Sequence, residues 1–169
     1  TGVGGGVIIN GKVLVGANGA GGEIGHICVN YDETVSCGCG RRGCLEQYAS
    51  ATGIARLAKI RLQLNDDATI LRGQDIDAKM VFDAVKAGDK VAIEVAEEFG
   101  RYLGHAMANL AVITDPNAIV IGGGVSKAGE ILLGYIEKPY KEKIKEFKNN
   151  YNGNNKKDGY MKIPSFFIF

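Results

Sequence analysis

The period of apolar and polar positions changes several times along the chain, and each change marks an element. Val3 to Ile9 and Lys12 to Val15 are β-prone runs separated by Asn10-Gly11, a pair suited to the two positive φ angles of a type I′ turn; they predict a hairpin. Gly16 to Gly25 holds five glycines and two alanines in ten positions and predicts a loop with close backbone approaches. Leu45, Tyr48, Ala49, Ala55, Leu57, Ala58 and Leu62 recur at mostly helical spacing and predict one helix from about Leu45 to Leu62. Asn65 to Gln74 is polar and connecting. Ala78 to Ala87, closed by Gly88, predicts a short helix. From Lys90 to about Val112 a longer helix carries the stripe Ala92, Val95, Phe99, Leu103, Ala106, Leu110 and Ile113. Gly100 and Gly104 cost about 1 kcal/mol each against alanine there, which predicts close packing on their face.

Asp115-Pro116-Asn117 breaks that helix, and Ala118 to Ile121 predicts a strand buried on both faces. Gly122-Gly123-Gly124 follows, with Ser126 as the expected N-cap of a helix through about Glu137. Pro139 is expected to interrupt it before a lysine-rich helix to about Phe147, whose charged residues read as a solvated face over Tyr140, Ile144 and Phe147. Asn149 to Gly159 reads as a polar loop and Tyr160 to Phe169 as a last strand. A hairpin, helices, then strand–helix–strand predict an α/β domain with a mixed sheet.

Composition narrows the function. At 169 residues, 46% hydrophobic and 23% charged, the chain suits one domain with a substantial core. A net charge of +1 supplies no field that would steer it to nucleic acid or membranes, and neither is expected as a partner. No apolar run approaches the ~18 residues of a membrane span and no signal-peptide pattern opens the chain, so a cytoplasmic protein is expected. Thr1 stands inside a glycine-rich turn and Phe169 inside an apolar run, so both ends read as interior points of a longer protein.

The candidate chemistry is concentrated. All four cysteines and one of two histidines fall within the 19 residues from His26 to Cys44. Thiolates and imidazole are the ligands zinc prefers, and crowding of this kind favours a metal over two disulfides. Cys37-x-Cys39-x4-Cys44 matches no zinc finger or ribbon spacing. His26 and Cys28, two apart in an extended segment, are equal candidates for the fourth ligand. Two carboxylates, Glu23 and Glu46, flank the cluster, and structural zinc does not need them. His105, in the long helix, reads as a partly buried core histidine.

Two glycine clusters could serve phosphate groups. Thr1-Gly2-Val3-Gly4-Gly5-Gly6 offers unobstructed backbone N–H groups, although it lacks the lysine of a P-loop. Gly122-Gly123-Gly124 lies between a strand and a helix, where nucleotides bind in open α/β folds.

Thr1-Gly-Val-Gly-Gly-Gly-Val, then Gly16, then Gly22-Glu23-Ile24-Gly25-His26, resembles the signature of the ROK family of bacterial sugar kinases and sugar-responsive repressors. Cys37-Gly-Cys39-Gly-x-x-Gly-Cys44-Leu-Glu46 is similar to that family's zinc loop, and Asp115-Pro116-Asn117 through Ser126 resembles its adenosine-side strand and turn. Within the family the resemblance is to the glucokinases of Gram-positive bacteria. It implies an actin/hexokinase-like ATPase (ribonuclease H-like) lobe with an inserted zinc loop. Residues 1–169 would be most of the C-terminal lobe of a two-lobe sugar kinase, without the N-terminal lobe and the extreme C-terminus. It implies zinc held by His26, Cys37, Cys39 and Cys44, with Cys28 a bystander, and a hexose met by Glu23, His26 and Glu46. ATP with Mg²⁺ would meet Thr1, Gly2 and Gly4 at its phosphates and Gly122, Gly123 and Gly124 at its adenosine. The family's catalytic aspartate would lie before residue 1, so no catalytic role falls on this chain, and the fragment is expected to be inactive. A homodimer is expected, as is usual in the family. Glucose is the first expectation for the sugar. The alternatives are another kinase of the family, for N-acetylmannosamine or fructose, and the sugar-sensing lobe of a repressor.

Overall fold

A computed structural model describes the backbone of residues 2–152 and 165–168, with side chains through residue 146. Ile8–Ile9 (β1) and Lys12–Val13 (β2) pair antiparallel in the register Ile8 with Val13 and Ile9 with Lys12. Asn10 at φ 52° and Gly11 at φ 76° supply the two left-handed positions of the expected turn. The ladder is shorter than the β-prone runs, and both its strands are exposed. Residues 3–7 run without regular structure and turn back onto the loop around Gly22.

The helix expected over Leu45 to Leu62 is two helices, Glu46–Ala49 (α1) and Ala51–Leu64 (α2). Ser50 breaks it with an extended backbone, and its Oγ accepts the Gly53 N–H at 2.9 Å as the N-cap of α2. Gly53 permits the bend, since a Cβ there would lie 2.9 Å from the carbonyl oxygens of Glu46 and Gln47. Ala78–Lys86 (α3) is capped by Asp77, whose carboxylate accepts the Met80 N–H at 2.7 Å. Lys90–Thr114 (α4) is capped in the same way by Asp89. The α4 stripe from Ala92 to Ala106 is buried as expected, but Ile113 is 80% exposed and leaves the stripe near the helix end.

Ala118–Ile121 (β3) is not buried on both faces: Ile121 is buried and Val120 is 60% exposed, the alternation of a strand covered on one side. It pairs parallel with Ser165–Ile168 (β4), Ala118 opposite Ser165. Among the described residues the strands form two separate two-stranded sheets and not one mixed sheet. The remainder of the expected last strand, residues 160–164 and 169, lies outside the described residues, as do residues 153–159 of the expected polar loop.

Ser126 does not cap a helix. It lies within a 3-10 turn, Val125–Ala128, where its Oγ donates to the Gly123 carbonyl at 2.7 Å. The following helix, Glu130–Asn152 (α5), runs through Pro139 without interruption. Proline removes the N–H that would bond the Tyr135 carbonyl, and that carbonyl instead faces Gly100 of α4, where no side chain intervenes. Gly104 likewise lies against Ile136, Pro139 and Tyr140 of α5, so the predicted close packing at both glycines is the α4–α5 crossing.

The core is built around α4: Val95, Phe99 and Ala106 are buried with Ile54 and Leu57 of α2, Val81 and Phe82 of α3, and Leu132, Ile136 and Tyr140 of α5. No helix among the described residues is long and apolar enough to cross a membrane.

Candidate metal and carboxylate site

The cysteine segment folds as a small knot in front of α1. Ile27 to Asn30 runs antiparallel to Gly43–Leu45, with the Val29 N–H on Gly43 O at 2.7 Å and the Leu45 N–H on Ile27 O at 2.9 Å. Between these strands a tight turn joins Cys37 to Arg41, with Gly40 at φ 83°. Gly43, at φ 70°, is obligatory because a Cβ would fall 1.8 Å from the Asn30 carbonyl oxygen.

One ligand atom each from His26, Cys37, Cys39 and Cys44 converges, all within 4.8 Å of one another. Cys39 Sγ and Cys44 Sγ stand 3.7 Å apart, and Cys37 Sγ stands 4.0 Å from His26 Nδ1. Thiolates bound tetrahedrally to zinc at about 2.3 Å are separated by about 3.8 Å, so the donor set and its spacing fit that ion. Cys28, open as an alternative on spacing alone, is not in the group; its Sγ points to the Asn30 carbonyl at 3.6 Å. Burial, and after it the Cys39 and Cys37 thiols, push the Cys44 thiol up to about 12, while the Arg41 N–H holds exposed Cys39 below the usual thiol range. A divalent cation bound here must displace those protons.

The carboxylates differ in setting. Glu23 is exposed, just before the 3-10 turn Ile24–His26. Glu46, the first residue of α1, reaches both ways: Oε1 accepts the Cys37 thiol at 3.6 Å, and Oε2 accepts the Val3 N–H at 3.3 Å. The first glycine loop is therefore joined to the cysteine knot. A Cβ on Gly2 would stand 1.9 Å from Glu46 Oε2, and one on Gly25 would stand 2.0 Å from Val3 O. Gly22, at φ 92°, meets the Gly5 carbonyl in the same manner. Gly4 has open space around it, and Thr1 lies outside the described residues.

The structure thus brings Gly2, Glu46, His26 and the three cysteines together. It does not bring Gly122, Gly123 and Gly124 to them: these follow β3, unobstructed, and the turn after them packs on α3 and α5. His105 is partly buried, with its pKa lowered first by burial and then by Lys143 and Arg101. Two surface grooves of about 530 and 420 Å³ run along α2, and neither is lined by a residue of the cluster.

Sequence reasoning missed a polar network behind the knot, formed by Glu33, Tyr48, Arg56 and Asn30. Tyr48 was legible only as an apolar stripe position, and Glu33 lies in a polar stretch without a motif.

Comparison with known proteins places the chain in a family. A sequence profile described as the ROK family matches residues 1–158. The chain is 47% identical over 144 residues to a glucokinase of Halalkalibacterium halodurans, which covers 83% of this chain and 44% of that protein. Its fold is similar to that of a ROK family glucokinase from Streptomyces griseus solved with glucose and AMPPNP (TM-score 0.80, 35% identity, covering 99% of this chain and 52% of that one). It is also similar to a ROK family transcriptional regulator, a homologue of the E. coli MLC protein (TM-score 0.73, 35% identity, covering 84% and 36%). The chain spans about half the length of the relatives it matches. With the profile matching residues 1–158, the chain belongs to the ROK family.

Proposed function

We propose that the protein carrying this chain is an ATP-dependent hexose kinase that phosphorylates the 6-hydroxyl of glucose. The observation that carries this reading is Glu46, whose carboxylate spans from the Cys37 thiol to the glycine-loop N–H of Val3. A sugar-facing acid and a phosphate-facing loop in contact would hold an acceptor hydroxyl near the group to be transferred. Similarity to glucokinases, one of them solved with glucose and an ATP analogue, supports glucose and ATP as the substrates.

In this reading Glu23 and Glu46 accept hydrogen bonds from sugar hydroxyls, and His26 turns its second ring nitrogen to the sugar. A carboxylate left unpaired on desolvation is costly, which lets these acids discriminate among sugar stereoisomers. Structural zinc on His26, Cys37, Cys39 and Cys44 would tie the knot that carries them. Backbone N–H groups of Thr1, Gly2 and Gly4 approach the ATP phosphates, whose charge Mg²⁺ helps to neutralise, and Gly122 to Gly124 face the adenosine. No aspartate of this chain is given the proton-accepting role, so residues 1–169 by themselves are expected to show no turnover. A homodimer and a cytoplasmic location fit the same reading.

A coupled assay of the protein with glucose, N-acetylmannosamine and fructose tests it. Preference for glucose supports the proposal, and preference for another sugar corrects the substrate. The similarity to a transcriptional regulator supports one other reading, a sugar-sensing lobe. Sugar binding and DNA binding without turnover on any sugar would establish that one instead.

A further inference from the structure

Glu33 lies between Cys28 and Cys37, but its carboxylate meets Tyr48, Arg56 and Val35 and none of the four residues of the Cys/His cluster. Its side chain is only 7% exposed. One carboxylate oxygen accepts the Tyr48 hydroxyl at 2.5 Å and Arg56 Nη2 at 2.7 Å, and the other accepts the Val35 N–H at 2.9 Å. Tyr48 also receives the Asn30 side-chain amide at 3.0 Å, and its ring stacks on Tyr102 of α4 with centroids 4.1 Å apart. Gln47 donates to the Val35 carbonyl at 2.9 Å and accepts the Cys44 N–H at 3.1 Å.

These contacts grip α1, which has four residues. A helix that short has no stability of its own, because nucleation costs more than one turn of hydrogen bonds returns. The direction of Glu46 is therefore set by what holds the turn around it. Residues 47 and 48 are held from the loop by Val35 and Glu33, and Arg56 of α2 closes the arrangement, its guanidinium 5.6 Å from the Tyr48 ring centroid.

We infer that Glu33 is a positioning residue: through Tyr48 and Arg56 it locks α1 in the orientation that aims the Glu46 carboxylate at the glycine loop. It touches no proposed sugar contact or metal ligand itself. The inference rests on the reading of Glu46 as a sugar contact for its kinetic consequence, but not for its structural one.

The test uses Glu33→Gln, Tyr48→Phe and the double variant in the protein carrying this chain, with two readouts. In Glu33→Gln, sugar KM should rise about tenfold while ATP KM and zinc content stay as in the wild type. Tyr48→Phe should raise sugar KM similarly, and the double variant should add little, because both changes open one link. Independently of any activity, amide exchange at Val3, whose N–H Glu46 accepts, should quicken in Glu33→Gln. Unchanged sugar KM and unchanged Val3 exchange in a folded, zinc-replete Glu33→Gln variant would overturn the inference, as would loss of zinc or an equal rise in ATP KM. A wild type that phosphorylates no sugar refutes the kinase reading alone, and Val3 exchange then decides the positioning role.

Discussion

Gly100 of α4 and Tyr135 of α5 meet backbone to backbone: a Cβ on Gly100 would stand 2.2 Å from the Tyr135 carbonyl oxygen. Pro139 leaves that carbonyl without its usual helical donor, so the glycine and the proline belong to one crossing. Gly100→Ala should destabilise the protein by about 2 kcal/mol or more, because the two helices must separate. Gly134, in α5 with open space around it, provides the contrast. Gly134→Ala should stabilise by about 0.5–1 kcal/mol. Urea denaturation of the two variants checks both signs, and a neutral Gly100→Ala would refute the crossing.

One zinc per chain is expected by elemental analysis. His26→Ala and Cys39→Ser should lose it, and Cys28→Ser should keep it, since the Cys28 thiol turns to Asn30 and not to the cluster. Zinc loss in the Cys28 variant would reverse the assignment of the fourth ligand.

The carboxyl of Glu33 gives a pH dependence with a definite sign. Burial alone would raise its pKa, but hydrogen bonds from Tyr48 and Val35 and the Arg56 guanidinium outweigh burial and hold it at about 2, against 4.5 ordinarily. A depressed folded-state pKa contributes stability that is complete above about pH 4.5 and disappears as pH falls toward about 2. Glu33→Gln should therefore cost about 2 kcal/mol at pH 7. The gap to wild type should close across that acid window, and a gap that is flat with pH would show that the charge contributes nothing.

Glu46→Gln should raise sugar KM by about tenfold or more, because the amide offers a sugar hydroxyl a weaker acceptor and no charge. Gly2→Ala should act on the same carboxylate from the other side, since its Cβ would lie 1.9 Å from Glu46 Oε2. Initial-rate kinetics on both variants checks this, and an unchanged sugar KM in Glu46→Gln would remove that residue from the proposed sugar site.

Local rules were legible where they acted alone. Asn10-Gly11 specified its turn, because few other pairs tolerate two positive φ angles, and the helices Ala78–Lys86 and Lys90–Thr114 begin where their apolar period begins. They failed where tertiary contacts outweighed them. Ser50 breaks an otherwise continuous apolar stripe because α2 must turn against the end of α1, and Pro139 passes through α5 because Gly100 makes room for the carbonyl it orphans.

The same division runs through the candidate site. The ligand types, the glycines and the acids can be read from the chain alone, since donor chemistry and the absence of a side chain are properties of single residues. Folding is what sets His26, and not Cys28, beside Cys37, Cys39 and Cys44, joins Glu46 to the glycine loop, and places Glu33 behind both. Those are facts of convergence: residues 26, 37 and 46 come within hydrogen-bonding reach only after the chain folds back between them, and no spacing along the chain encodes where a side chain points once it has.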